Sequence, residues 1–285
     1  MKRRDLLGPF GVLLADGAAG ATSSDTQTDR PRKRLALALG SGSIHGMAHI
    51  GVQRALERLH QPVHAIAGTS AGAIVGALWA AGLSAREVEA IARRFDWNES
   101  TRWVLPITGL MSNDGLQRAI DQAVGGRRIE QLPTLFAAVA TDIANGEQVV
   151  LSRGPVGACV AASSAIPVLF EPRRMAGRDL VDGGLTSPVP VDVARQLGAT
   201  AVVVAVDVAY RPNEAPASGL TGAAFQTLHI MINALAAEQT RRADVTLRLA
   251  LHYLMKPGGD PAALIDAGDA ALTAAWPRIE RLLAA

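Results

Sequence analysis

One stretch constrains the fold above all others: IAGTSAGAIVGALWAAG, residues 66–82. The apolar run at 63–67 reads as a strand and residues 73–81 as a helix. Between them stands only Gly68-Thr69-Ser70-Ala71-Gly72, so the chain must turn from strand to helix within the pentapeptide. Side chains two positions either side of Ser70 must then be absent. This G-x-S-x-G pattern is that of a nucleophile elbow, which exposes a serine at the end of a sheet and aims the next helix's positive end at it. The same residues also suit a helix-capping serine in a glycine-rich turn.

The rest of the chain alternates in the same way. Strands are expected at 34–39, 135–142, 148–151, 178–181 and 201–207, with 245–251 extended. Helices are expected at 46–60, between 115 and 129, at 156–163 and 191–197, and across 219–245 and 261–284. Ser84 and Glu87 form a capping-box pattern at the start of another. Asn145-Gly146 marks a hairpin turn. The β-branched run at 201–207 reads as the central strand. The expected fold is therefore α/β, a three-layer sandwich with a mainly parallel central sheet. The core is built mainly of Ala, Val, Leu and Gly, since only 4% of residues are aromatic against 49% hydrophobic; that suits helices lying close on a sheet. The expected division is a tail at 1–34, a catalytic domain at 35–208, and a helical extension at 209–285 packing on the same domain.

Two more motifs could carry chemistry. Gly40-Ser41-Gly42-Ser43-Ile44-His45-Gly46 follows the first strand. Its glycine spacing does not fit G-x-G-x-x-G, the next strand lacks a terminal acid for a ribose, and no Gly-Lys-Ser/Thr is present. An oxyanion hole fits better, because a carbonyl attacked by Ser70 needs preorganised N–H donors. Asp182-Gly183-Gly184 is either a plain turn or a carboxylate placed to take the Ser70 proton.

Taken in order, these motifs make the chain resemble the patatin-like phospholipase family, in particular its small bacterial members. The matching text is LALGSGSIHGMAHIGVQRALE, IAGTSAGAIVGALWAAG, VATDIANGE, ASSAIPVLFEP and GRDLVDGGLTSPVPVDVARQLGA. The resemblance implies a lipid acyl hydrolase that uses a Ser–Asp dyad without histidine, metal or cofactor. Ser70 would be the nucleophile and Asp182 the general base. The N–H groups of Gly42 and Ser43 would form the oxyanion hole, with Gly40, His45, Gly46, Gly68, Gly72, Gly183 and Gly184 completing the motifs. It implies a lipid or ester substrate and transient contact with a membrane surface. The family usually has Arg or Lys where this chain has His45. A shorter and mostly neutral side chain there implies weaker or more pH-sensitive activity.

Other readings compete. His229 and His252 leave a Ser…Asp…His α/β-hydrolase triad formally open, and a degenerate, non-catalytic lipid-binding member is the non-enzyme alternative. His45 and His49 have zinc-ligand spacing, yet the glutamate of H-E-x-x-H is replaced by Gly46. Asp142 and Asp207 read as loop-holding carboxylates and Cys159 as core. Trp97, Trp103 and residues 105–111 read as a lid, a lipid-facing surface or plain packing. Of 28 basic and 26 acidic residues, seven and four fall in the first 34. The remainder is close to neutral, without the basic stripe of a nucleic-acid binder. Lys2-Arg3-Arg4 before a short apolar stretch resembles a twin-arginine export signal, while a basic disordered tail or misassigned start reads equally well. A periplasmic or a cytoplasmic location follows accordingly. No segment reads as a membrane span.

Overall fold

The computed structural model describes residues 33–95, 102–103, 111–199, 201–209, 219–251 and 261–285. The N-terminal segment, Trp97, residues 105–110 and His252 lie outside the described residues, as does the side chain of Trp103.

The strands are β1 (Leu35–Leu39), β2 (Ala65–Thr69), β3 (Arg102–Trp103), β4 (Met111–Ser112), β5 (Leu135–Asp142), β6 (Gln148–Leu151), β7 (Arg173–Met175), β8 (Arg178–Asp182), β9 (Val202–Asp207) and β10 (Val245–Arg248). The described helices are α1 (Met47–Arg58), α2 (Ala71–Ala80), α3 (Ala85–Arg94), α4 (Asp114–Ala123), α5 (Val156–Ser163), α6 (Val191–Leu197), α7 (Gly219–Thr240) and α8 (Ala262–Ala284). The main sheet runs β10-β9-β1-β2-β5-β8-β7, with β6 also paired to β5. From β10 to β5 all pairings are parallel; β6, β7 and β8 pair antiparallel. The mainly parallel α/β sandwich is therefore the fold.

The two faces of the sheet differ in size of side chain. On β1, Leu35, Leu37 and Leu39 join one core cluster with residues of α1, α2 and α8, while Ala36 and Ala38 join a second cluster with Val191, Val193 and Ala194 of α6. Alternation along a strand sends neighbours to opposite faces. Large residues fill the thicker layer and alanines let α6 lie close. Helices α1 and α8 cross where a side chain on Gly51 would strike the Ile265 carbonyl and one on Gly268 the Ala48 carbonyl. Arg54 and Arg58 clamp that crossing through Asp269 at 2.8 Å.

Two expectations shift. The 202–207 strand is not central: β9 lies second from one end of the row. It is apolar on both faces because helices cover both. Strand β7 was not anticipated, since Arg173-Arg174-Met175 has no alternating apolar pattern.

Strand β5 arranges what matters for the site. Along a strand, successive N–H and C=O groups point to alternate edges. Leu135 N–H bonds to the His64 carbonyl on the β2 side, and Ile143 N–H bonds to the Asp179 carbonyl next to β8. Both residues are odd-numbered, so β2 and β8 occupy the same edge of β5, one after the other. Asp142 N–H, of the other parity, bonds to Glu147 on the opposite edge with β6. Thr69 ends β2 opposite Val139, and Asp182 ends β8 opposite Ala140. Two strands running in opposite directions thus finish head to head.

Candidate active site

That head-to-head ending brings Ser70 and Asp182 together. The Ser70 hydroxyl lies beside the Asp182 carboxyl and lowers its pKa. Asp182 accepts from the Gly184 N–H at 2.7 Å. Burial pushes its pKa up to about 6, and the Ser70 hydroxyl and the Gly184 N–H hold it from rising further. A carboxyl so poised is ionised at neutral pH yet basic enough to take a proton.

Ser70 has φ 54° and ψ −118°, a conformation rare outside glycine. It is the N-cap of α2, and Ser70 and Ala71 at the helix start line a cavity described below. The glycines at the −2 and +2 positions follow from contact. A Cβ on Gly68 would lie 2.4 Å from the Gly72 carbonyl, and one on Gly72 would lie 2.1 Å from the Leu39 carbonyl. The tightly turned helix therefore rests on bare backbone.

Residues 40–46 form the neighbouring loop. It is anchored by Gly40 N–H to the Val206 carbonyl (3.0 Å) and Ser41 N–H to the Pro188 carbonyl (2.8 Å). His49 Nε2–H donates to the Gly40 carbonyl at 2.8 Å. Burial drives the His49 pKa down to about 4, so the ring is neutral and holds the loop as a donor. Among the described residues, no acceptor takes the N–H of Gly42 or Ser43. Gly42 must be glycine because a Cβ would lie 2.4 Å from the Val208 carbonyl, and Gly46 because one would meet the Ala71 Cβ at 2.5 Å. Gly183 is required likewise, 2.1 Å from the Val139 carbonyl. His45 is buried, its Nδ1 facing the Val208 carbonyl at 3.3 Å. The ring therefore ties the loop to the chain after β9.

Ser70 and Ser43 open onto one cavity of about 450 Å³. Its walls are apolar: Ile74, Val75 and Leu78 of α2, Val88 and Ile91 of α3, and Leu116 and Ile120 of α4. Ile44, Ile166 and Leu169 also line it. Asp182 does not line it.

Other sequence candidates lie elsewhere. Asp142 caps Ala144 N–H at 3.0 Å, and Asp207 caps Ala209 N–H at 3.1 Å and pairs with Arg248. Cys159 is fully buried, its thiol pushed up to about 12. His229 is half-buried on α7, and the Ser70 hydroxyl lies beside Asp182. Among the described residues no cluster of His, Cys, Asp or Glu suits a metal, and no helix is long and apolar enough to cross a membrane. Sequence reasoning missed Ser163, whose hydroxyl accepts from the Ser70 N–H at 3.0 Å. The available signal was a serine at the end of the otherwise apolar VGACVAAS.

Several known proteins are similar to this chain. The family described as patatin-like phospholipase has a sequence model that matches residues 37–195. An uncharacterized NTE family protein of Mycobacterium tuberculosis is 40% identical over 161 residues, covering 55% of this chain and 44% of that protein. Patatin-like phospholipase domain-containing protein 7 of Rattus norvegicus is 36% identical over 187 residues, 62% of this chain and 14% of that one. This chain thus matches less than half the length of either relative. The crystal structure of VipD from Legionella pneumophila overlays with a TM-score of 0.48 at 15% identity, covering 89% of this chain and 67% of that one.

Proposed function

This chain belongs to the patatin-like phospholipase family, and from that premise we propose that it is a serine acyl hydrolase cleaving fatty-acyl esters of lipids through an acyl-enzyme. The observation that carries the reading is a serine at positive φ whose hydroxyl lies beside a buried carboxyl and which opens onto an apolar cavity.

The chemistry follows from these groups. Asp182 takes the hydroxyl proton as Ser70 Oγ attacks the ester carbonyl carbon. The developing oxyanion lies against the N–H groups of Gly42 and Ser43, each such donor contributing about 3 kcal/mol. Asp182 then gives its proton to the departing alcohol oxygen. Water enters, loses a proton to the same carboxylate, and attacks the acyl carbon; Ser70 leaves with that proton and the fatty acid is freed. The positive end of α2 favours negative charge throughout. A panel of p-nitrophenyl and phospholipid esters, with Ser70→Ala as control, tests the reading; hydrolysis by Ser70→Ala at the parent rate defeats it.

The cavity accounts for the acyl group. Leu78 lies eight residues beyond Ser70 on the same helix, about 12 Å along it. Leu78→Phe fills the far end of the cavity. The ratio of kcat/KM for a palmitoyl over a hexanoyl ester is expected to fall about tenfold, the scale of a few methylenes excluded from a pocket. An unchanged ratio would place the acyl chain elsewhere.

The cavity mouth accounts for access. Val168 is 52% exposed with φ 71°, unusual for a β-branched residue, beside the cavity-lining Ile166 and Leu169. Ile44, which lines the cavity, is 43% exposed. This rim is the surface proposed to meet lipid. Val168→Asp is expected to lower hydrolysis of phospholipid vesicles about tenfold relative to a soluble short-chain ester, through loss of apolar contact. Equal effects on both substrates would count against lipid contact there.

A further inference from the structure

Ser163 is fully buried at the end of α5. Its hydroxyl accepts from the Ser70 N–H at 3.0 Å and donates to the Val139 carbonyl at 2.5 Å. The directions are unambiguous, because an amide N–H only donates and a carbonyl only accepts.

The place of this bridge in the sheet gives it meaning. Leu135 N–H bonds to the His64 carbonyl, which sets the phase of the parallel β2–β5 ladder. Continued in that phase, the rung after Thr69 would join the Ser70 N–H directly to the Val139 carbonyl. The Ser163 hydroxyl stands between those two groups instead. This is also the point where the edge of β5 passes from β2 to β8, and the Val139 carbonyl sits against Gly183, next to Asp182. Thr69 adds a second tie, its hydroxyl donating to the Ser187 carbonyl at 2.7 Å.

We propose that Ser163 is a positioning residue, a hydroxyl spliced into the β2–β5 ladder that holds the end of β2 one oxygen away from β5 and so sets the Ser70 elbow against Asp182. The proposal rests on Ser70 being the nucleophile. Without the hydroxyl, the Ser70 N–H can close on Val139 directly and draw the elbow inward, or it stays unpaired. Either way the Ser70 Oγ loses its alignment with the base and the oxyanion donors.

Ser163→Ala tests this. The kcat on a soluble ester and the rate of Ser70 labelling by a fluorophosphonate are both expected to fall about 10- to 100-fold, as for a nucleophile displaced by about 1 Å. KM should change less than about threefold, because substrate contacts are untouched. Ser163→Thr, which keeps the oxygen, should recover most of the labelling rate. A purely structural role would lower the melting temperature and leave labelling at the parent rate, and that result overturns the proposal. So does a Thr variant that folds and labels as slowly as the Ala variant. Full hydrolysis by Ser70→Ala would instead remove the reading underneath, and this proposal with it.

Discussion

Asp182→Asn is expected to lose about 10³-fold in kcat, the scale of a missing general base, and yet to melt at a higher temperature than the parent at pH 7. The loss follows from the proposed mechanism: an amide cannot take the Ser70 proton. The gain follows from burial. The carboxyl is held at about 6 against an ordinary 3.8, with desolvation as the main cause. At 1.36 kcal/mol per unit, keeping it ionised at pH 7 costs the fold roughly 3 kcal/mol. Asparagine is neutral, nearly the same size, and its oxygen can still accept from the Gly184 N–H. Ser70→Ala is the informative contrast. It removes the nucleophile but leaves the charge buried, without the hydroxyl that lowers its pKa, so it should be inactive and slightly less stable. Melting curves and ester turnover for the two variants separate these cases. An Asp182→Asn protein that still turns over ester, beside an inactive His229→Ala, would favour the imidazole triad.

Much of this site was legible in the sequence because crowded backbone leaves glycines in its motifs. Gly68 is needed against Gly72 within the elbow, and Gly72, Gly42 and Gly183 are needed where the carbonyls of Leu39, Val208 and Val139 press on them. Each such contact leaves a glycine in the sequence even where its partner is distant. The meeting of Ser70 with Asp182 was not local. It depends on β2 and β8 sharing one edge of β5, a register that no pairwise spacing in the chain encodes. The role of Ser163 was hidden for the same reason: its partners stand 93 and 24 residues away, and the only signal in the sequence is a serine ending an alanine-rich helix. The central position expected for β9 failed because apolarity reports cover on both faces, not rank within the sheet. The cavity walls on α3 and α4 could be read as amphipathic helices, but the space between them is tertiary.

Activity should follow the Asp182 proton across acid pH. The carboxylate is the proposed base, so kcat/KM is expected to fall tenfold per unit below about pH 6 and to stand about 100-fold under its plateau at pH 4. Stability should move the other way. The folded state holds this proton up to about pH 6, while the unfolded chain releases it near 3.8. Between those values the folded state carries more protons, so the contribution of this group to stability falls as pH rises. Other carboxyls act with opposite sign. Arg58 and Arg54 hold Asp269 down at about 2, and backbone hydrogen bonds hold Glu130 at about 2; what those pairs contribute is lost only as pH drops below about 4. The difference in unfolding free energy between the parent and Asp182→Asn cancels their effect. That difference should favour the variant at pH 7 by up to roughly 3 kcal/mol and shrink toward zero near pH 4. A pH-independent difference, or a rate profile with its midpoint near 4, would mean that the carboxyl is solvated and that the buried base is wrong. Opposed slopes with a shared break near pH 6 would tie both to one proton, whose burial weakens the fold and makes the serine reactive.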